Sequence, residues 1–343
     1  QHSILTFNAS LKLVFEASVA IHRQESVLPM ISRMESTHTL CPYLAIPLSE
    51  SKSVNGEHIL ASALGTPESF KIDADASENQ RLNIELDVPM LRSEMLQLLA
   101  VSAGVVSRSD KDHVVLTGAL PTGDTARVRL APGSAEFSLP YPVEKDPTSG
   151  LVTGVKGFGP DAKELADKVL KGMEKRGLKV QASEPQPIDS AMKISLEMDL
   201  NLLLRFMCRT AYLMTVATLG DTAITSQSGE QYRRAINTVG LTRDTLIEIG
   251  IGGLFLDPPR HPIQFANPHH NGHTLACVPL AGMMVSHVVL FGVFHASFIT
   301  ANPCREAEEP NSLVFFVDPA TKACTRSDLL SELAASRVKF AGA

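Results

Sequence analysis

The chain has 343 residues, 44% of them hydrophobic and 20% charged, with a net charge of −6. This length exceeds one ordinary domain and allows two or three, and the composition argues against a disordered chain. The negative balance, the lack of tryptophan and an aromatic content of only 5% argue against broad nucleic-acid binding, so any such contact needs a local basic patch.

The five cysteines, Cys41, Cys208, Cys277, Cys304 and Cys324, are odd in number and far apart in sequence. That pattern does not suit a secreted disulfide framework and suits a reducing cytosol, so a cytoplasmic location is expected. It does not suit a four-cysteine zinc site either. Near Gln1 no charged segment, apolar core and small-residue cleavage site follow one another, so no signal peptide is expected.

Residues 1–40 form a leader of unclear structure. Leu11–Ala17 reads equally as strand or helix. His22 and His38 read as ordinary surface or partly buried histidines.

Residues 41–110 carry the most informative stretch: Cys41-Pro42-Tyr43-Leu44, then Glu57-His58-Ile59-Leu60, then Leu64-Gly65, then Glu78-Asn79, ending at Leu86-Asp87. An acid and an imidazole stand side by side, and a carboxamide follows about twenty residues later. Phosphodiester hydrolysis needs a base to activate water and a cation to stabilise the leaving oxygen. This order resembles a group of HNH endonucleases, in which a Cys-x-x-Cys knuckle precedes Glu-His-Ile, Leu-Gly, a second Cys-x-x-Cys-Asn and an Ile-Asp or Leu-Asp. The resemblance implies a short hairpin followed by a helix, with His58 as general base and Glu57 and Asn79 as ligands of a divalent ion. Asn83 or Asp87 would assist or shape the helix. Oxygen ligands suit Mg²⁺ or Mn²⁺. Of the four knuckle cysteines only Cys41 is present; Leu44, Asp75 and Glu78 stand at the other positions. A structural Zn²⁺ is therefore not the leading expectation. A mixed site remains open, because His38-x2-Cys41 and Asp75-x2-Glu78 keep ligand spacing. A helix is expected over Glu78–Leu86, and Met90–Leu99 has apolar residues at helical spacing.

Residues 111–150 read as a strand meander and linker. His113–Thr117 is one strand, and Thr125–Leu130 alternates as another. Arg127 and Arg129 share a face, open to phosphate or simply solvated. Residues 151–343 read as a C-terminal α+β domain. It opens with a helix from Ala162 to Arg176, whose lysines make the most basic window of the chain together with Lys156 and Lys179. This window is either a backbone-contacting surface or a solvated face. A short strand is expected over Leu178–Ala182.

Helices are expected through residues 195–240, starting at Ser195. Arg205 and Arg209 lie one turn apart on one face, and Arg233 and Arg234 are adjacent on a second helix. These four are candidate phosphate contacts; they equally well balance acids such as Glu197, Asp199 and Glu230. A third helix runs from Thr242 to Ile249, ended by Gly250. The loop at residues 257–273 contains Asp257–His261 and His269, His270 and His273. His270-x2-His273 has imidazole-ligand spacing, but without a nearby Cys or acid the run reads as a polar turn entering a strand. Leu275–Ala301 has no Asp, Glu, Lys or Arg. Its Pro, Gly and His residues favour two or three buried strands, turning near Gly282 and Gly292, over a membrane span. Ser312–Asp318 is a further strand, and Arg326–Arg337 a closing helix.

The expected architecture is α+β: an HNH-like hairpin–helix segment, then helices packed on an antiparallel sheet. The expected function is a metal-dependent HNH-type endonuclease, or a diverged relative, acting on DNA. The alternative is a catalytically inactive scaffold that binds a protein or nucleic-acid partner. No membrane partner is expected.

Overall fold

The computed structural model describes residues 4–11, 38–105, 113–120, 123–131, 134–138, 143–145, 148, 152–155, 162–175, 192–256, 267–269, 271–280, 282–303 and 312–328. Most of the leader, Lys156, the strand expected at 178–182, the Asp257–His261 loop, His270 and residues 329–337 lie outside them.

The fold is α+β, with helices and antiparallel sheets. After strand β1 (Ile4–Leu11), β2 (Val54–His58) and β3 (Lys71–Asp75) pair antiparallel, with Glu57 opposite Ile72 and His58 opposite Lys71. The helix α1 (Ala76–Leu82) follows directly. It starts where it does because the Asp75 carboxylate accepts the backbone N–H groups of Ser77 and Glu78, an N-cap. Residues Asn83–Asp87 then form a π turn, which buries Leu86 and Asp87 together. The helices α2 (Val88–Leu91) and α3 (Glu94–Ser102) complete the segment. The single helix expected over Met90–Leu99 is broken at Ser93, the N-cap position of α3.

A separate unit comprises residues 6–22 and 113–197. It contains β4 (Val114–Ala119), β5 (Thr125–Ala131), β6 (Ser134–Ser138), β7 (Val143–Lys145), β8 (Val152–Val155), α4 (Ala162–Glu174) and most of β9 (Met192–Asp199). One sheet has the order β1-β9-β4-β5-β6. On β5, Ala126, Val128 and Leu130 are buried, whereas Arg127 and Arg129 are exposed. Arg129 donates to His113 Nδ1 at 3.2 Å. The helix expected from Ser195 is corrected here. Met192, Ile194, Leu196 and Met198 are buried and the intervening residues are not, a period of two that makes a strand up to Asp199.

The other unit joins residues 1–5, 23–112 and 198–343. The serial division expected from sequence is thus corrected. The hairpin segment shares its unit with the C-terminal helices and sheet, and the meander unit is an insert that extends to Glu197. The central helix is α5 (Leu200–Leu219), capped by Asp199. It is long and apolar enough to cross a bilayer, but the protein covers most of it. Then come α6 (Asp221–Thr225), α7 (Gln227–Ile236) and α8 (Arg243–Ile249), the last capped by Thr242 and ended by Gly250 in the left-handed region. The strands β10 (Gly252–Phe255), β11 (His273–Leu280), β12 (Met283–Leu290), β13 (Phe294–Ala301), β14 (Leu313–Asp318) and β15 (Ala323–Asp328) form a sheet of order β10-β13-β12-β11-β14-β15. The meander through β11, β12 and β13 turns at Gly282 and Gly292, as read from the sequence. The closing helix does not begin at Arg326, because residues 323–328 pair with β14. α5 packs on β11, β12 and β13.

The β2–β3 connection is anchored to this sheet. Ile59, Leu60, Leu64 and Phe70 are fully or almost fully buried. Phe70 meets Phe315 of β14 with ring centroids 5.6 Å apart. Gly65 has φ +86°, and a Cβ there would lie 2.4 Å from the Pro319 carbonyl oxygen. Gly65→Ala is expected to destabilise the protein by about 2–4 kcal/mol, from left-handed strain plus overpacking against backbone. Urea unfolding checks this; an unchanged midpoint would show that the loop does not press on the β14–β15 turn.

Candidate functional site

The hairpin and helix bring the expected residues into one neighbourhood but give them different tasks. Consecutive side chains of a strand point to opposite faces. Glu57 therefore goes inward, with its side chain 5% exposed, and His58 goes to a half-open face, 23% exposed. Asn79 lies on α1, where its Nδ2 donates to Asn55 Oδ1 at 2.8 Å.

Glu57 belongs to a buried charge cluster. Its Oε1 accepts from the Tyr43 hydroxyl at 2.7 Å and from Arg209 Nη1 at 2.8 Å. The same Nη1 donates to Asp87 Oδ2 at 2.9 Å. The Arg209 guanidinium also lies over the Phe206 ring, 5.4 Å from its centroid. Burial raises the pKa of both carboxylates, and Arg209 opposes that rise in each. Burial by itself would lower the Arg209 pKa, but Asp87 and Glu57 hold it above its ordinary value. Burial, followed by the neighbouring Glu57 charge, pushes the Tyr43 hydroxyl well up. The cluster thus holds one guanidinium between two acids in a water-poor interior, joining β2, the π turn and α5.

His58 faces away from this cluster. Its Nε2 is 3.4 Å from Glu68 Oε2, and Lys71 Nζ is 3.9 Å from the same oxygen. His58 is still near enough for its charge to favour the Asp87 carboxylate.

The knuckle positions also come together in part. Cys41 Sγ accepts the backbone N–H of Asp75 at 3.4 Å. His38 Nε2 donates to the Asp73 carbonyl at 2.8 Å. The Asp75 carboxylate caps α1 and takes the Ser77 hydroxyl, which holds its pKa below the usual range. Glu78 accepts from Arg81 Nε and Nη2 at 3.0 and 2.7 Å. Each donor that a mixed zinc site would need is engaged in packing or capping instead. Among the described residues no group of three or more His, Cys, Asp and Glu is placed to hold a metal. Of the Mg²⁺ or Mn²⁺ set, Glu57 Oε1 already accepts from the Arg209 guanidinium and the Tyr43 hydroxyl, and Asn79 Nδ2 donates to Asn55 Oδ1.

The chosen arginines are corrected in the same way. Phosphate contact needs an outward guanidinium. Arg205 and Arg209 are buried, and Arg205 Nε donates to the Ile236 carbonyl at 2.5 Å. Arg233 Nη1 donates to the Ile224 carbonyl and the Tyr212 hydroxyl at 2.7 and 3.1 Å. Only Arg234 of the four is exposed. No protein-family model, curated protein or solved structure matches this chain.

Two further residues escape sequence reading. Tyr43 is hidden as a middle residue of Cys-Pro-Tyr-Leu, with no spacing signal. His273, treated as part of a polar loop, is fully buried, with Nε2 donating to the Leu64 carbonyl at 2.9 Å and Nδ1 accepting the Phe291 N–H at 3.2 Å. With both nitrogens engaged, it offers no lone pair to a metal. Its burial shows only faintly in sequence, as the first residue of an apolar strand.

Proposed function

We propose that this chain is a diverged HNH-type scaffold that has exchanged metal-dependent cleavage for binding a protein partner. One observation carries the reading: buried Arg209 donates to Oε1 of the carboxylate that the resemblance assigns to the metal, pairing that acid with a cation of the protein's own interior. A protein partner is favoured over DNA because three of the four candidate phosphate-contact arginines are turned to internal acceptors and the net charge is −6. The reducing cytosol inferred from cysteine usage belongs to the same reading; the four described cysteines are buried.

A second reading rests on His58. Its imidazole, 23% exposed, has Nε2 3.4 Å from Glu68 Oε2, which sets a base beside an orienting acid. On this reading the chain is an endonuclease acting on DNA.

Incubation of supercoiled plasmid and single-stranded DNA with Mg²⁺, Mn²⁺ or Zn²⁺, for the parent and His58→Ala, separates the two. Background cleavage by both proteins is expected. Cleavage by the parent that disappears in His58→Ala would overturn the scaffold reading and establish the nuclease.

A further inference from the structure

The imidazole of His273 ties together three stretches of chain. It begins β11, donates from Nε2 to the carbonyl of Leu64 in the β2–β3 connection, and accepts at Nδ1 the N–H of Phe291 in the turn between β12 and β13. Its ring packs against Phe291 with centroids 4.4 Å apart. Phe291 has φ +53°, a left-handed conformation that is costly for a non-glycine residue and must be held by its surroundings.

This arrangement admits only one protonation state. Nε2 needs its proton to reach Leu64, and Nδ1 must lack one to receive Phe291 N–H. A second proton would set two N–H groups against each other inside the core and leave a buried cation. We propose that His273 is an acid-sensitive latch: protonation at Nδ1 breaks the bond from Phe291 and leaves a buried cation that is stabilised only where the imidazole reaches water, so acid favours an opening in which the β2–β3 connection and the β12–β13 turn part from β11.

Among the described residues, no charged group on the elements packed against His273 compensates the cation. The β2–β3 connection presents the Leu64 carbonyl, and the β12–β13 turn presents an amide and a phenyl ring. On the flanking turns the imidazole of His269 and the carboxylate of Asp318 face each other, with Nδ1 and Oδ2 3.7 Å apart. Burial correspondingly lowers the His273 pKa from 6.5 to about 4, with the Leu64 carbonyl opposing it. A folded value below the unfolded one means that the latch is fully closed above the unfolded pKa. It weakens as pH falls through the window between 6.5 and about 4.

Hydrogen exchange on the full chain, corrected for intrinsic rates, tests this. Between pH 6.5 and 4.5, amide protection across residues 59–66 and at Phe291 is expected to fall roughly 40-fold, while protection of α5 holds. His273→Gln keeps a donor toward Leu64 but cannot titrate, so its profile should be flat. An unchanged wild-type profile, an equal loss in His273→Gln, or simultaneous loss across α5 would each overturn the latch. NMR titration of wild-type His273 provides a second readout independent of whether the variant folds. The imidazole of the closed protein must titrate well below 6.5, near 4, and a midpoint at 6.5 would overturn the proposal.

Discussion

Replacing Arg209 by methionine is expected to destabilise the protein by about 3–5 kcal/mol at pH 7, because it leaves two acids in the interior without their cation. Glu57 Oε1 and Asp87 Oδ2 both depend on the one nitrogen, Nη1. Tyr43 remains as a hydrogen-bond donor to Glu57, but a hydroxyl does not neutralise charge. The sign of the pH effect follows from the same geometry. Both carboxylates already have raised folded-state pKa values, burial being the largest cause. A raised acid contributes stability that is present below its unfolded pKa and lost as pH rises through the folded one. Without the guanidinium the rise is larger, so the penalty of Arg209→Met should be smaller near pH 4.5 than at pH 7. Denaturant unfolding of parent and variant at both pH values checks this. Since His273 titrates in both proteins, its contribution cancels in the difference. A penalty independent of pH would mean that Arg209 acts by packing on Phe206 rather than by charge.

Phe70→Ala is expected to cost about 3–5 kcal/mol, as for other buried aromatic truncations. Phe70 is fully buried at the end of the β2–β3 connection. Its carbonyl accepts the Ile59 N–H at 3.2 Å, and its ring meets Phe315. The loss therefore removes an apolar tie between the hairpin and the sheet, beside the polar tie at His273. Phe70→Leu should recover much of the stability, since it restores most of the lost volume. Thermal or denaturant unfolding measures both. A small effect of Phe70→Ala would show that the cavity collapses, or that the connection is held by Gly65 and His273 instead.

Elements with a clean period were legible. β5 alternates without exception, and the turns at Gly282 and Gly292 separate three apolar runs. The caps of α8, Thr242 and Gly250, can be read directly because each satisfies a local backbone need. Reading failed where two patterns abut. Met192–Asp199 has strand alternation that runs straight into the apolar helix α5, and the helical signal masked the boundary. At Arg326 a helix-like tail hid six residues that pair with β14. The candidate site was legible as a set of residues. Glu57, His58, Asn79 and Asp87 do lie on one hairpin–helix segment. Their tasks were not legible, because Arg209 stands 152 positions from Glu57.

By itself the sequence determined the local conformations: strand alternation, caps and turns, each set by residues a few positions apart. It also determined that the chain mixes helices with antiparallel strands. Only the tertiary structure decided which charges are neutralised and which remain reachable. The physical reason is that desolvation depends on what covers a group, and long-range contacts supply the cover. Glu57 became a buried partner of Arg209, His58 stayed half open beside Glu68, and His273 became a neutral latch in the core.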